Sequence, residues 1–112
     1  MPSSIILQLI KVKNTLNFLT KCSKIYRKNL LSKIIAITGS CGKTTLKEML
    51  GSSLNKISKT TYSPKSFNNK YGVPLSILNI KQSDKFGVLE VGMDKKGEID
   101  YLTKIIKPDL GI

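Results

Sequence analysis

The sequence predicts an α/β fold: a mostly parallel sheet of the P-loop type with flanking helices, left incomplete within the 112 residues. Three observations predict it. Short apolar runs rich in β-branched residues alternate with stretches whose apolar residues recur at helical spacing. One such run, "KIIAIT", leads into a glycine-containing loop and then a helical stretch, the order that lets a backbone cradle a phosphate. The last run, "PDLGI", opens a strand without a terminating turn.

Residues 4–30 read as one amphipathic helix. Ile5, Leu9, Val12, Leu16, Leu19, Tyr26 and Leu30 form a stripe at spacings of three and four, with Ser23 filling the one gap. Lys11, Asn14, Lys21 and Lys28 fall on other faces, and Ser3 or Ser4 suits the N-cap. A basic amphipathic helix can lie on a membrane surface, but such a stripe more often packs on its own domain or a partner, and that is the expectation here. It makes residues 1–32 a lead-in segment ahead of a domain over 33–112. "KIIAIT" is then a buried strand. A helix from Thr45 to about Lys56 places Leu46, Met49, Leu50 and Leu54 on one face. "KTTYS" suits a short strand, and "PKSFNNKYG" is loop by composition. "VPLSILNI" is a short helix entered near Pro74. "KFGVLEVG" is a second buried strand over 86–91, and "KKGEIDYLTKIIK" a helix carrying Ile99, Leu102, Ile105 and Ile106. Such alternation implies parallel pairing with helices packed on the sheet.

At 40% hydrophobic and 23% charged residues the chain is globular in composition. Its net charge of +12 is almost all lysine, with Arg27 the only arginine. A basic surface attracts anions of many kinds. Base stacking, however, needs aromatics interleaved with the basic residues, and there are few, so no nucleic-acid partner is expected. Cys22 and Cys41 have no CxxC or Cys/His spacing, and a chain without histidine is a poor zinc site. Free thiols suit a reducing cytosol. No apolar stretch approaches the roughly 18–20 residues needed to span a bilayer.

The chemistry concentrates in "TGSCGKTT", residues 38–45. Gly39 and Gly42 admit backbone angles and a close approach that a side chain would block. The amides of Ser40, Cys41 and their neighbours can then converge on an anion, helped by the positive end of the following helix. Lys43 is placed to reach outer phosphates, Thr44 to bind Mg²⁺ through its hydroxyl, and Thr45 to donate to an inner phosphate. The strict pattern G-x-x-x-x-G-K-[ST] would have its first glycine at Ile37, so the loop departs from it there. Cys41, near a helix N-terminus, is either a reactive thiol or a small residue whose backbone does the binding. A metal beside phosphate calls for a carboxylate at a neighbouring strand end, and Glu90 stands there. Asp94, in a turn, and Glu98, in the first turn of the next helix, are weaker candidates. The adjacent amides of Asn68 and Asn69 fit either a polar ligand or an ordinary turn.

"AITGSCGKTT", "SFNNKYGVPLSIL" and "VLEVGMDKKGEI" together resemble the central ATPase domain of the Mur ligases, over roughly residues 33–112. The T-G-x-x-G-K-T loop is shared across a superfamily that includes folylpolyglutamate synthase. The two later blocks resemble the branch that adds D-Ala-D-Ala to UDP-N-acetylmuramoyl-tripeptide, in peptidoglycan precursor synthesis. The resemblance implies that Lys43 binds the β- and γ-phosphates of ATP and that Thr44 and Glu90 hold Mg²⁺. It puts Asn68 and Asn69 in a block facing the nucleotide-sugar substrate and metal region. It implies a cytoplasmic enzyme, monomeric at full length, that works through an acyl phosphate. The family's N-terminal domain, the later half of its central domain with a histidine, and its C-terminal domain have no counterpart here. The chain is therefore expected to be a fragment carrying ATP-binding elements. The alternatives are another ligase of the superfamily and a nucleotide-binding module without catalysis.

Overall fold

Backbone pairing follows the β-branched runs. In the computed structural model, which describes residues 15–39, 42–63, 69–92 and 97–112, the strands β1 (Lys33–Ile37), β2 (Thr60–Tyr62), β3 (Phe86–Glu90) and β4 (Leu110–Gly111) form one parallel sheet in the order β2-β3-β1-β4. The central pair is in register from Lys33↔Phe86 to Ile37↔Glu90. Between the strands lie α1 (Thr15–Lys28), α2 (Lys43–Asn55), α3 (Gly72–Asn79) and α4 (Glu98–Ile106). The expected alternation is thus the observed one. The N-terminal part of the expected lead-in helix, with Ile5, Leu9 and Val12, lies outside the described residues.

Side chains alternate across a strand, so each apolar run feeds two faces. On one face Ile34 and Ala36 of β1 and Leu89 of β3 meet Val73 and Ile77 of α3 and Leu102, Ile105 and Ile106 of α4. Helix α1 closes this layer from outside through Tyr26, with Leu30 just beyond its end. On the other face Ile35, Ile37 and Val88 pack against Leu50 and Leu54 of α2 and Tyr62 of β2. Helices therefore cover both faces of the sheet. The connection after β1 runs over one face and the one after β3 over the other, although β1 and β3 are neighbours. That divergence opens a crevice at the C-terminal ends of these two strands, where open α/β sheets bind ligands.

Polar contacts fix how the layers dock. Arg27 Nε donates to the Ile106 carbonyl at 2.6 Å and Nη2 to that of Lys107 at 2.8 Å, so the single guanidinium caps the C-terminus of α4. Its Nη2 also meets Asp109 Oδ2 at 3.3 Å, and that oxygen accepts the Ile34 amide at 2.8 Å, guiding β4 onto β1. On the far side of the sheet, Asp84 accepts hydrogen bonds from the Thr61 hydroxyl and, at 2.8 Å, the Lys81 amide.

Helix α2 differs from its expected orientation. Leu46 and Met49, read as core-facing, are 39% and 64% exposed. Lys47 and Gly51 face the sheet instead, beside the half-buried Leu50 and Leu54. Gly51 allows close approach to β2: a Cβ there would stand 2.4 Å from Tyr62 Cγ and Cδ1 and 2.9 Å from its Cβ. Gly51→Ala should accordingly destabilise the fold by about 1–3 kcal/mol through overpacking. Gly87→Ala, which meets mainly the movable ends of Ile80 and Ile34, should cost less; urea denaturation of both variants checks the order.

Candidate functional site

The end of β1 and the start of α2 lie on opposite sides of a loop whose two glycines both have positive φ, 137° at Gly39 and 76° at Gly42. At these angles a side chain is strained, which accounts for glycine at both positions. Gly42 is the N-cap of α2 and offers no side-chain cap. The first-turn amides of a helix lack intrahelical acceptors, and here they point toward the crevice end of the sheet. Thr38 ties the loop's entry to the residue just after β4, its amide and hydroxyl both donating to the Ile112 carbonyl at 2.9 Å.

Of the residues read from the sequence, Lys43 is half-buried as the first residue of α2, and Thr44 and Thr45 follow it in the first turn. Glu90 is the last residue of β3, with its side chain on the α2 side of the sheet. The structure brings Thr44 and Glu90 together: the threonine hydroxyl lies 3.3 Å from both carboxylate oxygens. Asn69 is exposed, and its Oδ1 accepts the amides of Tyr71 at 3.1 Å and Gly72 at 2.7 Å, so it caps the start of α3. Glu98 occupies the first turn of α4, as expected. Ser40, Cys41, Asn68 and Asp94 lie outside the described residues.

One member of the site escaped the sequence reading. Lys47 is fully buried, and its Nζ sits 3.4 Å from Glu90 Oε2; Glu48 approaches from the exposed side at 3.8 Å. Glu90 is itself only 2% exposed. The available signal was positional. Lys47 follows Thr44 by three residues, so the two share a helix face, but the apolar pattern assigned the sheet-facing role to a different face, of leucines and a methionine. Burying a lone carboxylate is costly, and an opposite charge beside it offsets the cost.

Thr44 and Glu90 offer a hydroxyl and a carboxylate, the hard oxygen donors that a magnesium ion takes. The donor set therefore fits that ion. Among the described residues no group of three or more His, Cys, Asp or Glu could hold a metal. Two protein oxygens leave the remaining positions to water and phosphate, which is how Mg²⁺ is commonly held beside nucleotides.

Comparison with known proteins places the chain in a family. The Mur ligase middle domain matches residues 37–112. The UDP-N-acetylmuramoyl-tripeptide–D-alanyl-D-alanine ligase of Buchnera aphidicola (subspecies Acyrthosiphon pisum) is 46% identical over 90% of this chain and 22% of its own length. The enzyme of the same name from Bacillus subtilis is 38% identical over 93% of this chain and 23% of its own. MurF from Acinetobacter baumannii superposes with a TM-score of 0.84 at 39% identity, covering 89% of this chain and 22% of that one. MurF ligase from Thermotoga maritima in complex with ADP gives 0.78 at 34% identity, over 90% of this chain and 25% of that one. The chain thus spans about a quarter of the length of the relatives it matches. No helix among the described residues is long and apolar enough to cross a membrane.

Because Glu90 and Lys47 shield each other from an apolar surround, removing one partner should cost more than removing both. Glu90→Ala should destabilise the chain by about 3–5 kcal/mol, as for other broken buried pairs. The double variant Glu90→Gln/Lys47→Met should recover most of that loss. Denaturant titration of the three proteins measures both.

Proposed function

The chain belongs to the Mur ligase family, and on that premise we propose that it supplies the ATP- and Mg²⁺-binding elements of an amide-bond ligase of peptidoglycan precursor synthesis. The observation that carries the reading is the meeting of Thr44 with Glu90 at 3.3 Å, beside a glycine loop at the mouth of a parallel sheet. A strand end and a helix start supply those two groups from distant parts of the chain. That the Thermotoga maritima relative is in complex with ADP supports an adenine nucleotide as ligand.

In this reading Gly39, Ser40, Cys41 and Gly42 wrap the phosphates with backbone amides, and Thr45 donates to an inner phosphate. Lys43 places its ammonium against the β- and γ-phosphates, where charge builds as the phosphoryl group transfers. Thr44 and Glu90 hold Mg²⁺, whose charge would draw off electron density from the phosphoryl oxygens. Asn68 and Asn69 belong to the block that faces the nucleotide-sugar substrate and metal region. Residues 33–112 form the N-terminal part of the central domain, and residues 1–32 lead into it.

The parent enzyme would phosphorylate the terminal carboxylate of UDP-N-acetylmuramoyl-tripeptide. The amine of D-Ala-D-Ala would then displace the phosphate to form the amide. It would act in the cytoplasm as a monomer, without nucleic acid. The names of the relatives support this substrate pair over those of other ligases of the superfamily.

Lys43→Ala should weaken ATP binding about ten- to a hundredfold, the equivalent of the ~1.5–3 kcal/mol contributed by a hydrogen bond to a charged group, and leave the circular dichroism spectrum unchanged. Calorimetric titration with ATP and MgCl₂ measures it. An unaltered affinity would remove the loop from the nucleotide site.

A further inference from the structure

Glu90, the metal ligand proposed above, does not present a bare negative charge. Its Oε2 is engaged by Lys47 Nζ at 3.4 Å, and both side chains are excluded from water. Within the buried pair the two charges cancel; the half-exposed Glu48 carboxylate stands 3.8 Å from Nζ on the solvent side. The positive end of α2 adds to this, and Lys43 stands in the same first turn. At the Glu90 end, a divalent cation arriving alone would meet a carboxylate engaged by an ammonium, the Thr44 hydroxyl and a positive helix end. Mg²⁺ gives up its water reluctantly. Thr44 and Glu90 leave the remaining positions of such an ion to water and phosphate oxygens.

From this juxtaposition we infer that Lys47 is a positioning residue with a gating consequence. It holds the Glu90 carboxylate toward Thr44 and keeps it from binding a divalent cation on its own, so that the cation enters with nucleotide phosphate rather than ahead of it. Held by Lys47 on Oε2, the carboxylate keeps its orientation while the site is empty of nucleotide. Phosphate then brings the negative charge that the pair lacks. The inference rests on the assignment of Thr44 and Glu90 as metal ligands. It differs from a merely structural ion pair, which would raise stability without altering affinity for a free cation.

The test uses Mn²⁺ alone, without nucleotide, followed by electron paramagnetic resonance of the free ion and by thermal unfolding of the 112-residue chain. The native chain should bind Mn²⁺ weakly. Lys47→Met, which removes the ammonium from Glu90 Oε2, should bind it about tenfold more tightly or better and gain thermal stability from it. Adding Glu90→Gln to that variant should abolish the gain. A Lys47→Met chain that is unfolded without metal and folds with Mn²⁺ supports the same conclusion, since the ion replaces the missing cation. Three outcomes overturn it: Mn²⁺ affinity unchanged by Lys47→Met, a gain that survives Glu90→Gln, or an unfolded variant that Mn²⁺ does not rescue. Because no nucleotide is present, the result is separable from the ATP titration of Lys43→Ala. A chain that binds ATP·Mg²⁺ while Lys47→Met gains nothing loses this inference alone. One that binds no ATP while Lys47→Met captures Mn²⁺ through Glu90 loses the nucleotide reading alone.

Discussion

Two opposite charges meet out of water between a helix and a strand end, and the site is arranged around them. Lys47 reaches Glu90 from the sheet-facing side of α2 at 3.4 Å, so the rotation of that helix is set by a polar contact as well as by packing. With Lys47 turned inward, Thr44 falls one turn back on the same face, against the same carboxylate. Gly51 falls one turn ahead, where the absence of a side chain lets the helix settle on Tyr62. Leu46 and Met49 are carried outward by the same rotation. A desolvated ion pair adds little net stability compared with an apolar pair of similar shape. Its worth here lies in fixing one geometry at the place where chemistry is expected.

The sheet makes that geometry available. Parallel strands align their C-terminal ends, and the register Ile37↔Glu90 sets the carboxylate level with the strand end from which the loop departs. The connections leave β1 and β3 over opposite faces, which keeps the crevice between them free of crossing chain. On the opposite layer, Arg27 and Asp109 join α1, the end of α4 and the start of β4 into one docking point. Thr38 then links the loop's entry to the last residue of that edge. Thr38 is thus tied both to β1, which it follows, and to the residue after β4.

Much of this was legible in the sequence because it is local. β-Branched runs give strands, glycines at Gly39 and Gly42 mark a backbone that bends where side chains are strained, and a helical period follows. Glu90 was legible for a related reason: an acidic residue closing a buried strand is unusual enough to demand a partner. Asn69 was readable only as a turn residue or a ligand contact. The structure adds that its amide oxygen caps α3, a use that depends on where that helix begins.

The sequence by itself determined the order of elements, the loop and the residue at the end of β3, since each follows from neighbours within a few positions. Tertiary structure alone decided which face of α2 meets the sheet and what balances Glu90. The physical reason is that hydrophobic periodicity assigns faces by the cost of exposing carbon. It has no way to register that burying the Lys47 ammonium is offset by an anion supplied from a strand far along the chain.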